Sequence, residues 1–242
     1  MRAELALPQQ NRGALVPAKP PVDGQAIRAG IRQMRTAREP FTAWAAIQSP
    51  EGPGHALRWE RACRDLKPSP GIAREDWILS VAEGARRRWV DWERSVEGLR
   101  ATLAAIPPEA ELKRVRDLAN AALNAPLSEA AIAQAVAATV DAYLPSRTAP
   151  VVVHVESVVD LILADGYPPV VVAEARENLL RSETRFAPSP HAFLQACASA
   201  RATLKAAAET TERALQAKAD LRTIVRVIEL RESQEARARA ES

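Results

Sequence analysis

Histidines and paired carboxylates are the residues of this chain whose chemistry could serve a metal ion or a reaction. The three histidines, His55, His154 and His191, lie far apart, and none has a second ligand at the spacing of a metal site. Glu93 and Glu97 are one helical turn apart, but such acid pairs on a helix usually face solvent. The sequence contains neither a glycine-rich phosphate loop nor a nucleophile elbow. We therefore expect a protein that is not an enzyme and needs no metal or other cofactor.

The two cysteines, Cys63 and Cys197, each fall within a helical pattern. Two well-separated cysteines argue against a disulfide framework and a zinc site, and they suit a reducing compartment. No apolar run approaches the roughly 20 residues of a membrane-spanning helix, and the N-terminus lacks the apolar stretch of a signal peptide. We therefore expect a cytoplasmic protein with no membrane partner.

Arginine beside tryptophan is a combination that binds single-stranded nucleic acid, because bases stack on aromatic faces near cations. Three arginines at 86–88 lie between Trp77 and Trp92. However, Trp89 and Trp92 belong to a stripe of apolar residues spaced three or four apart, and that spacing favours core packing. A basic N-terminal segment is the better candidate for nucleic-acid contact.

Basic residues are concentrated in residues 1–50, which carry a net charge of +4, whereas the whole chain carries +3. Four prolines in residues 1–22 predict a flexible tail, and a short basic helix is expected to follow from Asp23. The side chains proposed for contact with DNA, single-stranded DNA included, are those of Arg28, Arg32, Arg35 and Arg38.

Apolar residues spaced three or four apart predict helices through most of the remaining chain. A short helix ends before Pro68, and an amphipathic pattern of about eight turns then runs from Arg74 to Ile106. Further helices are expected over residues 109–123 and from the N-cap Ser128 to just before Pro145.

Residues 151–155 have the β-propensity of a strand, but the spacing of the valines up to Ile162 favours a helix. This helix is expected to end at Gly166, and another to begin at Pro168 and Pro169. Because the turn between them is short, the two helices are expected to pack antiparallel.

The last helix begins with Ser189 as its N-cap and Pro190 at its first position, and nothing interrupts it before about Arg237. Two interpretations of so long a helix remain open: an internal antiparallel hairpin, or a projecting arm that forms a coiled coil or docks on a partner. The stripe proposed to contact a partner consists of Leu215, Leu221, Val225 and Ile228.

The start of this helix is expected to fix the angle between the long helix and the helix pair before it. Ser189 caps, Pro190 sets the first turn, and Phe193 and Cys197 share one face. The residues predicted to form this structural junction are Phe186, Pro188, Ser189, Pro190, Phe193 and Cys197.

The sequence predicts an all-α protein, a helical bundle with a flexible basic N-terminal segment and a long C-terminal helix. The predicted organisation has four parts: a basic tail with a short helix (1–54), a tryptophan-containing helical body (55–145), a helix pair (146–187) and the long helix (188–242).

One region, about residues 150–200, resembles the C-terminal part of phage replication proteins that recruit or load a host's replicative helicase, such as the replication protein P group of lambdoid phages. The residues that carry the resemblance are Val158-Val159-Asp160-Leu161, Gly166-Tyr167-Pro168, Ala175-Arg176, Leu179-Leu180 and Phe186-Ala187-Pro188-Ser189-Pro190-His191-Ala192-Phe193-Leu194-Gln195-Ala196-Cys197.

The resemblance implies a non-enzymatic adaptor that binds and loads a replicative ring helicase, with a basic segment that meets single-stranded DNA or an initiator protein. Two alternatives remain open. A structural or assembly protein would form a homo-oligomer through the long helix. A DNA-binding regulator would use the basic N-terminal segment, and its binding would depend steeply on salt.

Overall fold

Helices are the only regular elements in the part of the chain that the computed structural model describes, residues 38–48, 55–87, 94–143, 151–182 and 187–241. The prediction of an all-α fold is confirmed. In chain order the helices are α1 (Glu39–Gln48), α2 (His55–Asp65), α3 (Arg74–Ala85), α4 (Val96–Ala105), α5 (Glu109–Leu123), α6 (Glu129–Asp141), α7 (Val151–Ala164), α8 (Pro169–Arg181) and α9 (Pro190–Ala240).

Local capping groups set several helix starts where the sequence predicts them. The Oγ of Ser128 accepts a hydrogen bond from the Ala131 N–H at 3.4 Å, and the Oγ of Ser189 accepts one from the Ala192 N–H at 3.2 Å. At 51 residues α9 is about 76 Å long. Within the described ranges no helix combines the length and the apolar character needed to cross a membrane.

The pattern from Arg74 to Ile106 does not form one helix, and the prediction of eight continuous turns is wrong. It forms α3 and α4, and α4 begins at its own cap, where Ser95 Oγ accepts from the Gly98 N–H at 3.1 Å. Both helices pack on α9 and present apolar faces to it. Their apolar residues therefore share one spacing although the helices are separate.

The long helix α9 is the central element, and seven other helices pack along most of its length. They are α1, α2, α3, α4, α5, α7 and α8, of which α5 and α8 pack most extensively. Two ion pairs show that α5 runs antiparallel to α9. Glu109 at the start of α5 pairs with Arg222, and Arg116 in its middle pairs with the earlier Glu212 of α9. The stripe of α9 is therefore covered by this chain's own helices, and α9 is neither an internal hairpin nor an uncovered arm over this length.

The helices α7 and α8 do not form the mutually packed antiparallel pair that their short connection predicts. Each packs on α6 and on α9 instead. The reason lies in α6, whose Ile132 and Val136 are completely buried and offer both helices an apolar face. The connection itself is as predicted, since Gly166 has the positive φ of +66° typical of a helix C-terminus.

The helix α1 corrects the predicted boundary of the basic tail at residue 54. Phe41, Trp44 and Ile47 of α1 are buried in the same hydrophobic core as the later helices, and α1 packs on α5 and α9. The four predicted segments thus contribute to one core in the described ranges. The expected short helix from Asp23 lies outside the described residues.

Candidate partner-binding surfaces

The predicted junction at the start of α9 is built as a buried, capped corner. Phe193 and Cys197, one turn apart, are completely buried, and Pro188 before the cap is buried too. The Nε2 of His154 on α7 donates a hydrogen bond to the Pro188 carbonyl at 3.1 Å. Prolines 188 and 190 leave few backbone conformations open here, so α7 and α9 are held at a fixed angle. Phe186 lies outside the described residues.

A second contact holds α7 to α9 about three turns further along both helices. The guanidinium of Arg201 donates to the Gly166 carbonyl at 3.0 Å and to the Asp165 carbonyl at 3.4 Å. The same guanidinium lies 4.9 Å from the centre of the Tyr167 ring. Arg201 thus satisfies carbonyls that the end of α7 leaves without a helical partner. These groups therefore hold the corner between α7 and α9.

The thiols of Cys63 and Cys197 are unsuited to nucleophilic chemistry. Burial raises the pKa of each to about 12, and nearby carboxylates (Glu60 for Cys63, Asp165 for Cys197) add to the effect. Both thiols are therefore protonated near neutral pH and pack as small apolar groups. Over the described residues, no three His, Cys, Asp or Glu side chains are placed to hold a metal ion.

The stripe proposed to contact a partner is part of the hydrophobic core. Leu221 and Ile228 are completely buried, Val225 is nearly so, and Leu215 packs half-buried against the core. The prediction that these four side chains form an available contact surface is therefore wrong for the fold as described. A stripe with this spacing serves equally well as the inner face of a central helix.

The basic residues proposed to contact nucleic acid can be located only in part. The Nε of Arg38 donates to Glu174 at 2.9 Å, and its Nη1 lies 3.6 Å from Glu177. The hydrogen bond to the largely buried Glu174 raises the pKa of Arg38. The charge of Arg38 is thus paired with carboxylates of α8. Arg28, Arg32 and Arg35 lie outside the described residues.

Ion pairs flank the C-terminal half of α9 on two sides. On one side, α4 contributes Arg100, whose Nη2 lies 3.3 Å from Glu229. On the other side α3 runs parallel to α9, and three pairs connect them in register: Arg74–Asp220, Glu83–Arg231 and Arg86–Glu235. This register was not predicted. Asp220, an acid among apolar residues of the stripe, is the feature of the sequence that indicates it.

The end of α9 is the most exposed helical surface of the described chain. Ile228 is its last buried residue, and nearly every later side chain up to Glu241 is exposed. Leu230 is 56% exposed, more than any other large apolar side chain among the described residues. These last 13 residues extend about 20 Å and carry charges of both signs around one large apolar side chain.

An open groove of about 520 Å³ lies beside α2 and is lined by Glu60, Arg61, Arg64 and Asp65. A smaller one of about 30 Å³ lies next to it and reaches the buried Cys63. Two acids and two bases line the groove, and Arg61 and Asp65 pair with each other at 4.0 Å. Such a lining is that of a solvated helix surface.

Comparison of the chain with protein-family models, with curated proteins and with solved structures finds no match.

Proposed function

We propose that this protein is a non-enzymatic adaptor in the initiation of DNA replication, which binds a host's replicative ring helicase and assists its loading. The proposal rests on the resemblance of residues 150–200 to phage helicase-loading proteins. One structural observation supports it above others. The last of the residues that carry the resemblance, 186–197, include the start of α9. This helix ends in an exposed segment beyond the core.

The exposed end of α9 is the surface that we assign to the partner. Leu215, Leu221, Val225 and Ile228 are occupied by the core, and Leu230, the large apolar side chain that the described part of α9 leaves exposed, lies in residues 229–241. A helix end with one exposed leucine, surrounded by arginines and glutamates, fits a helix-in-groove contact with a charged rim. The corner at Phe193 fixes the direction in which this end points.

The test is size-exclusion chromatography with light scattering of the full chain, alone and mixed with a purified bacterial replicative helicase. We expect a co-eluting complex of defined stoichiometry. The informative variant is Leu230→Asp, which places a charge in the proposed contact without disturbing the core, since Leu230 is exposed. It is expected to weaken the complex at least tenfold, which corresponds to about 1.4 kcal/mol.

Leu127→Asp is the matched control. Leu127 is also an exposed leucine, but it lies in the connection between α5 and α6, outside residues 150–200 and outside the exposed end of α9. This variant should bind the helicase like the wild type. Leu221→Asp is not informative, because a charge at this completely buried position is expected to unfold the chain.

Two results would replace the proposal by one of its alternatives. A homo-oligomer that forms with increasing concentration, without any helicase complex, would favour an assembly protein. Binding of DNA that falls steeply with salt and disappears on removal of residues 1–37 would favour a DNA-binding regulator.

A further inference from the structure

The helix α3 is attached to the fold in an unusual way, since α9 is the one described helix on which it packs extensively. Its buried side chains are two alanines, Ala82 and Ala85, while Trp77, Ile78 and Val81 are half-buried. Alanine removes little apolar area from water, so this contact contributes less than one between leucines. The three ion pairs to α9, of which Arg74–Asp220 has the most buried partner, add to these contacts and fix the register of α3.

The surface beneath α3 is a single row on α9. Asp220, Ile224, Val227, Arg231 and Glu235 follow each other at intervals of four, three, four and four residues, which places them on one helix face. Asp220, Arg231 and Glu235 form ion pairs with α3. Ile224 and Val227 between them are apolar, and Ile224 is completely buried. We call these five residues the α3-facing row.

The connection before α3 allows the helix to leave without disturbing α2. Residues 66–73 form no helix and are mostly exposed, and Gly71 turns the chain with a φ of +86°. A Cβ at Gly71 would meet no atom within 4 Å, so the segment packs on nothing there. Ile72 and Leu79 are exposed and do not belong to the hydrophobic core.

We propose that α3 is a detachable strap, and that the uncovered α3-facing row takes an amphipathic helix of the partner protein in its place. This inference rests on the proposed function, because it requires that a partner protein exists. It also gives the buried stripe of α9 a way to contact a partner, since Ile224 lies next to Leu221 and Ile228 on the helix surface.

The helix that fits is defined by α3 itself. The buried and half-buried apolar residues of α3 lie 3, 4, 7, 8 and 11 positions after Arg74. An acid lies 9 positions after Arg74, and a base lies 12 positions after it. A partner helix with these groups makes the contacts that α3 makes, so the exchange requires only a small difference in affinity. Contact with the exposed residues 236–241, beyond the reach of α3, supplies such a difference.

Hydrogen–deuterium exchange of the full chain tests whether α3 detaches. We expect the amides of α3 to exchange at least tenfold faster than those of α5, because local opening needs less free energy than global unfolding. Arg74→Glu, which sets two acids against each other at Asp220, should accelerate exchange in α3 further and leave α5 and α8 unchanged. Equal protection of α3 and α5, or acceleration of all helices together in the variant, would overturn the proposal.

A labelled peptide of residues 72–87 tests whether the row accepts a helix from outside. It should bind the full-length Arg74→Glu chain at least tenfold more tightly than the wild-type chain, whose own strap competes. A peptide that itself carries Arg74→Glu should not bind, whereas one with the exposed Leu79→Asp should bind normally. If the peptide does not bind an Arg74→Glu chain that circular dichroism shows to be folded, the proposal that the α3-facing row accepts an external helix is wrong.

The helicase experiment separates failure of the strap from failure of the proposed function. If a helicase complex forms and α3 in it stays fully protected from hydrogen–deuterium exchange, the adaptor function is supported and the detachable strap is contradicted. If the peptide of residues 72–87 binds but no helicase complex forms, the detachable strap is supported and the tested helicase is excluded as the partner.

Discussion

Arg74 and Asp220 are 146 residues apart in sequence, yet the Nε of Arg74 lies 2.8 Å from Oδ1 of Asp220. The Asp220 side chain is only 5% exposed and also accepts from Gln216 at 3.3 Å, whereas the Arg74 side chain is 46% exposed. The two partners differ in what remains when one is removed. Loss of Arg74 leaves a buried carboxylate without its cation, while loss of Asp220 leaves a guanidinium that water can reach.

We expect Arg74→Ala to lower the free energy of unfolding by about 2 kcal/mol, because a buried charge is left with only an amide as partner. Asp220→Asn keeps the shape and retains a hydrogen-bond acceptor, and should cost about 1 kcal/mol. Urea unfolding of the two variants measures the difference. A larger loss for Asp220→Asn than for Arg74→Ala would show that the asymmetry is wrong.

The corner at Phe193 is expected to be the most sensitive position at the start of α9. Phe193→Ala removes a completely buried ring and should lower the free energy of unfolding by about 3–5 kcal/mol. His191→Ala, an exposed position on the same turn, should change it by less than about 0.5 kcal/mol. Thermal or urea unfolding distinguishes them, and similar values for both would mean that the corner does not stabilise the fold.

Helices whose ends are set by local chemistry could be predicted from sequence. Pro107 and Pro108 precede α5, Ser128 caps α6, and Ser189 with Pro190 starts α9. These groups act within one turn of the helix, so their effect does not depend on what packs nearby.

What covers α9 could not be predicted, because an apolar stripe has the same spacing on a core helix and on a docking helix. Leu221 and Ile228 therefore suited both interpretations, and only the packing of other helices decides between them. The division between α3 and α4 was missed for a related reason. Both helices face α9, and their apolar residues continue one spacing across the break.

The buried thiols are expected to react slowly and to make the fold sensitive to alkali. Burial raises the pKa of Cys63 and Cys197 from 9.0 to about 12, so the folded state favours the protonated form. This contribution to stability is complete below pH 9 and is lost as pH rises towards 12. Labelling with a thiol reagent at pH 8 should be slow for the native chain and fast in denaturant. Rapid labelling of the native chain would contradict their burial.

Lys218 is expected to stabilise the connection between α4 and α5. Its Nζ donates to the carbonyls of Ile106 and Pro107 at 2.9 and 2.7 Å, at the point where the chain turns from one helix to the next. Lys218→Met keeps the apolar part of the side chain but leaves two carbonyls without this donor. We expect a loss of about 1–2 kcal/mol in urea unfolding. An unchanged midpoint would show that water replaces the ammonium group without cost.

Glu109 is expected to make the fold less stable in acid. Hydrogen bonds from Lys113 and then Arg222 lower the pKa of Glu109 from 4.5 to about 2. Because the folded-state pKa is the lower one, its contribution is present above pH 4.5 and is lost as pH falls towards 2. Glu109→Gln should therefore reduce stability at pH 7 and flatten its dependence on pH between 4.5 and 2.

The same acid titration of two further samples shows whether these ion pairs cause the effect. Glu111→Gln changes an exposed acid on the same turn and should keep the wild-type dependence on pH. The contacts of Glu109 lie at the surface, so 1 M NaCl should weaken the dependence in the wild type and leave Glu109→Gln unchanged. If Glu109→Gln and the wild type lose stability in parallel as pH falls, other carboxylates determine the acid response, and the pairing of α5 with Arg222 of α9 contributes nothing measurable to it.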